Sequence, residues 1–169
     1  MTQAAPQGLT IRSWRPDDAD RLWSILKPTF RAGDTYTVDP EVSRADAISY
    51  WTAAEKTVFL AEDRTDLLGT YFIRPNQGGG GAHVCNCGYI TAPEARGKGV
   101  ARAMLAHSLE EARRLGYRAM QYNFVIATNT RAIAIWEQAG FQTVGRLPDA
   151  FHHPREGYVD ALVMFRSLV

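Results

Sequence analysis

Cysteine is scarce in this chain, with two among 169 residues, and long hydrophobic runs are missing altogether. Two thiols cannot staple a disulfide scaffold, and no apolar run reaches the length needed to span a bilayer. Cys85 and Cys87 are spaced i, i+2, so on a strand both face the same way. That spacing suits neither a redox CxxC pair nor a common zinc knuckle, and it reads as two reduced packing residues. No metal centre is expected, since His152 and His153 have no ligand partners nearby in sequence. Charge of one sign is also lacking. The net charge is +1, so bulk electrostatics favours neither nucleic acid nor an acidic partner. Met1 to Gln7 carry neither the charged start nor the apolar stretch of a signal peptide, so a cytoplasmic protein without membrane attachment is expected. No repeat or interdomain linker breaks the pattern, which points to one domain over 1–169.

The chain does have enough apolar material for a sizeable core, with 46% hydrophobic and 22% charged residues. Leu9 to Trp14 alternates as a first strand. Pro16-Asp17-Asp18 opens a helix that runs to about Lys27, with acids in its first turn. Pro28 to Pro40 reads as irregular, and a second helix follows from about Val42 to Ala54. Lys56 to Glu62 and Leu68 to Arg74 read as a strand pair, and Pro75 to Gly81 as a flexible loop. His83 to Thr91 is a strand. Arg96 to about Leu115 is a helix with Ala101, Met104, Leu105, Ser108, Ala112 and Leu115 on one face. Ala119 to Ile126 is a strand. Asn129 caps a helix that ends near Ala139 before Gly140. Phe141 to Arg146 and Tyr158 to Arg166 complete the strands, with a Pro- and His-containing loop between them.

The most informative stretch is Gly88 to Leu105. An apolar strand ends, a Pro-containing turn follows, and Arg96-Gly97-Lys98-Gly99-Val100-Ala101 opens an amphipathic helix. Free N–H groups and the helix dipole at such an end attract anionic oxygen, and small residues let backbone approach it. The mononucleotide loop is excluded, because Lys98 precedes a glycine and no Ser or Thr follows. The dinucleotide fingerprint lacks its third glycine and its ribose-binding acid.

Arg96-x-x-Gly99-x-Ala101 closely resembles the pyrophosphate-binding signature of the GCN5-related N-acetyltransferases, abbreviated GNAT. A second block, Asn129-Thr-Arg-Ala-Ile-Ala-Ile-Trp136-Glu-Gln-Ala-Gly140-Phe141, is similar to that family's Asn-x-x-Ala and Tyr-x-x-x-Gly-Phe block. The predicted order β-α-α-β-β-β-α-β-α-β-β matches as well. The resemblance implies an α/β fold of the α+β kind: a mixed, mostly antiparallel central sheet flanked by helices. A splayed strand pair would form the acetyl-CoA cleft. It also implies acetyl-CoA as cosubstrate, with its pyrophosphate at residues Arg96, Gly97, Lys98, Gly99, Val100 and Ala101. Ile90 and Thr91 would bond pantetheine and polarise the thioester oxygen, and Asn129 and Trp136 would also line the cofactor site.

Many family members carry a tyrosine able to protonate the leaving thiolate where this chain has Trp136. An indole N–H is no useful acid, so Trp136 reads as a packing wall, and proton delivery falls to water or to unassisted thiolate departure. Asn86, Asn123 and Asn129 gather around the expected cleft. An Asn within an apolar strand is costly unless its amide is satisfied. Asn86, Arg96 to Gly99, Asn123-Phe124-Val125 and Gly145-Arg-Leu-Pro148 with Val159-Asp160-Ala161 resemble the fungal azetidine-2-carboxylate N-acetyltransferases. That likeness implies Asn86 as the catalytic residue engaging the substrate amine, with Asn123 and Phe124 holding a carboxylate.

Phe30, Asp34, Thr35 and Tyr36 lie in the segment expected to cover the acceptor, and Thr35 and Tyr36 are taken as substrate contacts. His83, Glu62 and Glu94 are candidate bases. The expected activity is N-acetylation of a small amine, an amino acid or a proline-like imino acid. A peptide or antibiotic amine and a non-catalytic acyl-CoA sensor are the alternatives. A homodimer is left open.

Overall fold

The computed structural model describes residues 8–64 and 66–169. Seven strands form one sheet. They are β1 (Leu9–Ser13), β2 (Thr57–Asp63), β3 (Asp66–Pro75), β4 (Val84–Thr91), β5 (Ala119–Ile126), β6 (Gln142–His153) and β7 (Gly157–Ser167), in spatial order β1-β2-β3-β4-β5-β7-β6. Every pairing is antiparallel except that of β4 with β5. Four α-helices cover the sheet: α1 (Ala19–Ala32), α2 (Arg44–Trp51), α3 (Val100–Arg114) and α4 (Thr130–Gln138).

Adjacent residues of β3 show how the layers are set. Tyr71 faces α3, with its hydroxyl against His107, while Phe72 packs edge-on against Trp51 of α2 at 4.9 Å. Alternation along a strand thus assigns α3 to one face and α1 with α2 to the other. Trp51 is fully buried, and its indole N–H is satisfied by Thr70 Oγ1 at 3.0 Å, which in turn donates to the Phe59 carbonyl at 2.9 Å. On α3 the buried stripe is Val100, Met104, Leu105, Ser108, Leu109 and Ala112. Leu115, expected on that face, is 40% exposed just past the helix end.

Three boundaries depart from the sequence reading. The helix expected from Arg96 begins only at Val100, because Gly97 and Gly99 before it take left-handed φ values of 81° and 83°. The first helix does not stop before Pro28 but continues to Ala32. Proline removes one N–H, and the carbonyl it orphans, that of Ser24, belongs to an exposed residue and so is not stranded in the core. The buried Leu26 and Phe30 hold the last turns in place. The expected loop after Arg146 is instead the second half of a long hairpin. A register shift between Leu147 and Phe151 absorbs Pro148 and Asp149, the latter at φ 49°, and pairing resumes to His153.

Candidate active site

The parallel pairing of β4 with β5 lasts two residue pairs, Val84 with Ala119 and Cys85 with Met120. Beyond them the strands part. On its other edge β5 carries a bulge, since Asn123 and Phe124 fall in the register shift between Tyr122 and Val125. Alternation fixes which backbone groups of β4 face the gap. The Val84 carbonyl accepts from Asn76 N–H at 2.8 Å, and Ala92 N–H donates to the Leu68 carbonyl at 2.8 Å, both toward β3. Register is unbroken between these points, so the peptide groups of Asn86, Gly88 and Ile90 also turn to β3. Those of Cys87, Tyr89 and Thr91 turn to the gap. The Tyr89 carbonyl is taken by the Tyr36 hydroxyl at 2.9 Å. Gly88 permits that approach: a Cβ there would meet Phe72 at 2.6 Å and the Tyr36 hydroxyl at 3.1 Å.

Asn86 spans the start of the gap, its Nδ2 donating to the Gln121 carbonyl at 3.0 Å. A carbonyl only accepts, so the NH2 end must face Gln121 and Oδ1 is left as an acceptor. Asn123 is engaged at both ends. Its Oδ1 accepts from Gln121 Nε2 at 2.9 Å, and its Nδ2 donates to Asn76 Oδ1 at 2.6 Å, leaving one amide hydrogen.

The glycine-rich step follows β4. Gly97 and Gly99 sit at φ 81° and 83°, in the left-handed region that favours glycine, and Gly99 is the N-cap of α3. The bond from Ala103 N–H to the Gly99 carbonyl at 3.0 Å closes the first turn. The amides of Val100, Ala101 and Arg102 are therefore unused within the helix. Arg96, Arg102 and Arg131 line the same cleft, of 530 Å³, which runs along Ile90, Thr91, Asn129, Ala132, Ile135 and Trp136 to His153 and Arg155. Lys98 is exposed and outside the lining, and its N–H instead ties the turn to the Ala95 carbonyl at 3.3 Å. Paired left-handed glycines, free helix amides and three guanidiniums fit a pyrophosphate. Asn129 caps α4 through Ala132 N–H at 3.3 Å and keeps its NH2 end for the cleft.

A second compartment of 260 Å³ lies across the gap, lined by Thr35, Tyr36, Tyr50, Arg74, Asn86, Asn123 and Phe124 among others. Thr35, Tyr89, Asn129, Ala132 and Trp136 line both spaces and mark their junction. Thus the structure brings together every expected site residue but Lys98. Of the further candidates, Phe30 is buried in the core, Glu62 is tied up by Arg12 and Arg21, and Glu94 is exposed.

Trp136 is 8% exposed and packs between Tyr89 and Tyr122 at 5.0 and 5.2 Å. The two phenols form a closed relay. Ser108 Oγ donates to the Leu105 carbonyl at 2.8 Å, so it must accept from Tyr89 at 2.7 Å, and Tyr89 in turn accepts from Tyr122 at 3.1 Å. Burial pushes both phenols well above their ordinary range, so they stay protonated, with each proton already committed. Cys85 and Cys87 are buried and unpaired, and burial pushes the Cys87 thiol up, away from the reactive thiolate.

Sequence reasoning missed Tyr89, Tyr122, Arg131 and His153. Arg131 stands two residues past the Asn129 cap, close enough to be found. His153 is buried, with Nδ1 accepting from the Arg155 and Glu156 amides at 3.2 and 3.3 Å. The hairpin bulge hid it. Among the described residues no cluster of three His, Cys, Asp or Glu could hold a metal ion, and no helix is long and apolar enough to cross a membrane.

A narrow cleft with an anion cradle at one end and an open strand edge along its wall suits a long phosphate-ended thioester carrier. The class so defined is the acyl-CoA-dependent acyltransferases. The acetyltransferase (GNAT) family profile matches residues 19–141. N-acetyltransferase aca1 of Schizosaccharomyces pombe is 32% identical over 148 residues, covering 78% of this chain and 71% of the relative. The structure of a GCN5-related N-acetyltransferase from Kribbella flavida is 36% identical, with a TM-score of 0.90 over 95% of this chain and 98% of the other. The structure of yncA from Salmonella typhimurium, determined with its cofactor acetyl-CoA, shares the fold at 20% identity and a TM-score of 0.83, over 96% and 95% of the two chains. The chain belongs to the GNAT family of acetyltransferases, and it is an acetyl-CoA-dependent N-acetyltransferase.

Proposed function

We propose that the enzyme acetylates the amine of a small amino acid or proline-like imino acid, such as azetidine-2-carboxylate. The observation that carries this reading is the 260 Å³ compartment across the β4–β5 gap, walled by Tyr36 and Tyr50 and opening on the cofactor cleft. Its size and its wall of segment 35–37 suit a free small molecule better than an extended peptide. Acetyl-CoA supplies the activated acetyl group. Arg96, Gly97, Gly99, Val100 and Ala101 hold its pyrophosphate, with Arg102 and Arg131 adding charge and Lys98 acting at longer range.

The gap-facing amides of Tyr89 and Thr91 take the pantetheine and thioester role, and Ile90 supplies apolar wall. Asn129 and Trp136 flank the same arm. Asn86 Oδ1 accepts from the incoming amine and aims its lone pair, a positioning effect rather than base catalysis. Asn123, through its remaining amide hydrogen, and Phe124, through its backbone, hold the acceptor beside Thr35. Tyr36 forms the wall, since its own proton is spent on the Tyr89 carbonyl. The amine proton leaves through water, and the thiolate departs without a protein acid.

The test is thiol release from acetyl-CoA across a panel of free amino acids, imino acids, polyamines and peptide N-termini. Turnover confined to amino and imino acids is the expected result. Turnover confined to polyamines or peptides would overturn the reading.

A further inference from the structure

The acceptor compartment holds a single formal charge. Arg74 lines it, and among the described residues no Asp or Glu does. Arg74 lies opposite Asn86 in the β3–β4 register, so the two side chains share a face with Cβ atoms about 4.5–5.5 Å apart. Its guanidinium is under-used. Nε is buried without a hydrogen-bond partner among the described residues, and the one carboxylate near it, Glu55, is half exposed and stands 3.9 Å from the terminal nitrogen. An exposed pair at that distance contributes little.

The surroundings add positive charge. Lys56 lies 3.9 Å over the Tyr50 ring and 4.5 Å over Phe72, and burial together with Arg74 pushes it down to about 8. A partly buried guanidinium with an unpaired N–H, beside a second cation, is a site short of an anion.

We propose that Arg74 is the specificity-determining anchor for a carboxylate on the acceptor. The acceptor amine would rest on Asn86 Oδ1 while its carboxylate meets Arg74 one strand away. That juxtaposition selects amines whose carboxylate is borne by a neighbouring carbon, and it disfavours polyamines. Asn123 and Phe124 then contribute neutral contacts, and Arg74 supplies the charge. This inference rests on the small amino- or imino-acid reading above.

The experiment compares kcat/KM for an imino acid with that for its carboxamide, in wild type, Arg74→Gln and Arg74→Lys. Acetyl-CoA affinity, measured by calorimetry, serves as the control for folding. Arg74→Gln should lose about 10- to 100-fold on the acid, mainly through KM, and change little on the carboxamide. Arg74→Lys should fall between the two, since it keeps charge without the guanidinium fork. An unchanged acid-to-amide ratio in a folded Arg74→Gln enzyme would overturn the anchor while leaving the small-acceptor reading intact. A wild type that accepts the carboxamide and refuses every free acid would overturn both.

Discussion

The Asn86 side chain donates to the Gln121 carbonyl at 3.0 Å, one residue past the last pairing of β4 with β5. It fills the place where a ladder bond would fall and fixes which end of the amide faces the acceptor. Asn86→Ala should lower kcat by about 100-fold with acetyl-CoA affinity unchanged, as loss of positioning does. Asn86→Asp should not restore it, because a carboxylate would then face a carbonyl oxygen. Single-turnover rates with calorimetric binding constants check both. A wild-type rate in Asn86→Ala would make the residue purely structural.

Gly99→Glu should abolish acetyl-CoA binding. The left-handed φ of 83° would cost a side chain about 1–2 kcal/mol, and a carboxylate would oppose the phosphate it is meant to admit. Calorimetry on the folded variant is the check, and unchanged affinity would remove the cradle assignment.

Trp136→Phe and Tyr122→Phe should both keep kcat within a few-fold of wild type. The indole is a packed wall, and the Tyr122 proton is committed to Tyr89, so neither is poised to protonate a thiolate. Tyr122→Phe should cost about 1 kcal/mol in denaturant unfolding, the worth of one hydrogen bond. A large kcat loss with normal affinity and stability would identify a proton donor after all.

Most of the element order was legible because apolar alternation and capping residues speak locally. Asn129 marked a helix start that the structure keeps, whereas the helix expected from Arg96 begins only after Gly99. Pro28 misled, because its damage depends on which carbonyl it orphans, and that depends on packing. The cradle was legible from glycine spacing. The β5 bulge at Asn123 and Phe124 was not, since a bulge is a property of the partner strand's register. For the same reason the sequence could suggest Ile90 for an open backbone position, where alternation turns Tyr89 and Thr91 outward.

Arg12 clamps Asp18 and Glu62, at 2.8 and 2.7 Å, and Arg21 adds a second contact to Glu62 at 3.0 Å. Hydrogen bonds from Arg12 hold both carboxyls below their usual range. Their stabilisation is full above the unfolded values of about 3.9 and 4.3 and is lost as pH falls through the lower folded values. Stability should therefore stay level from about pH 7 to 5 on this account and drop below about pH 4. Arg12→Ala should cost about 1–2 kcal/mol at neutral pH, since Arg21 still faces Glu62, and shrink the acid limb. Urea unfolding across pH reads both, and an equal acid limb in wild type and variant would contradict the clamp.

The proposed reaction is acetyl transfer from acetyl-CoA to a free small amino or imino acid. Its most direct measurement is kcat/KM for one such acid, free in solution and again as the N-terminal residue of a short peptide. The free acid should be the better acceptor by at least tenfold, with its N-acetyl derivative identified by mass spectrometry. A peptide acetylated as fast as, or faster than, the free acid would rule out a free-acid acceptor.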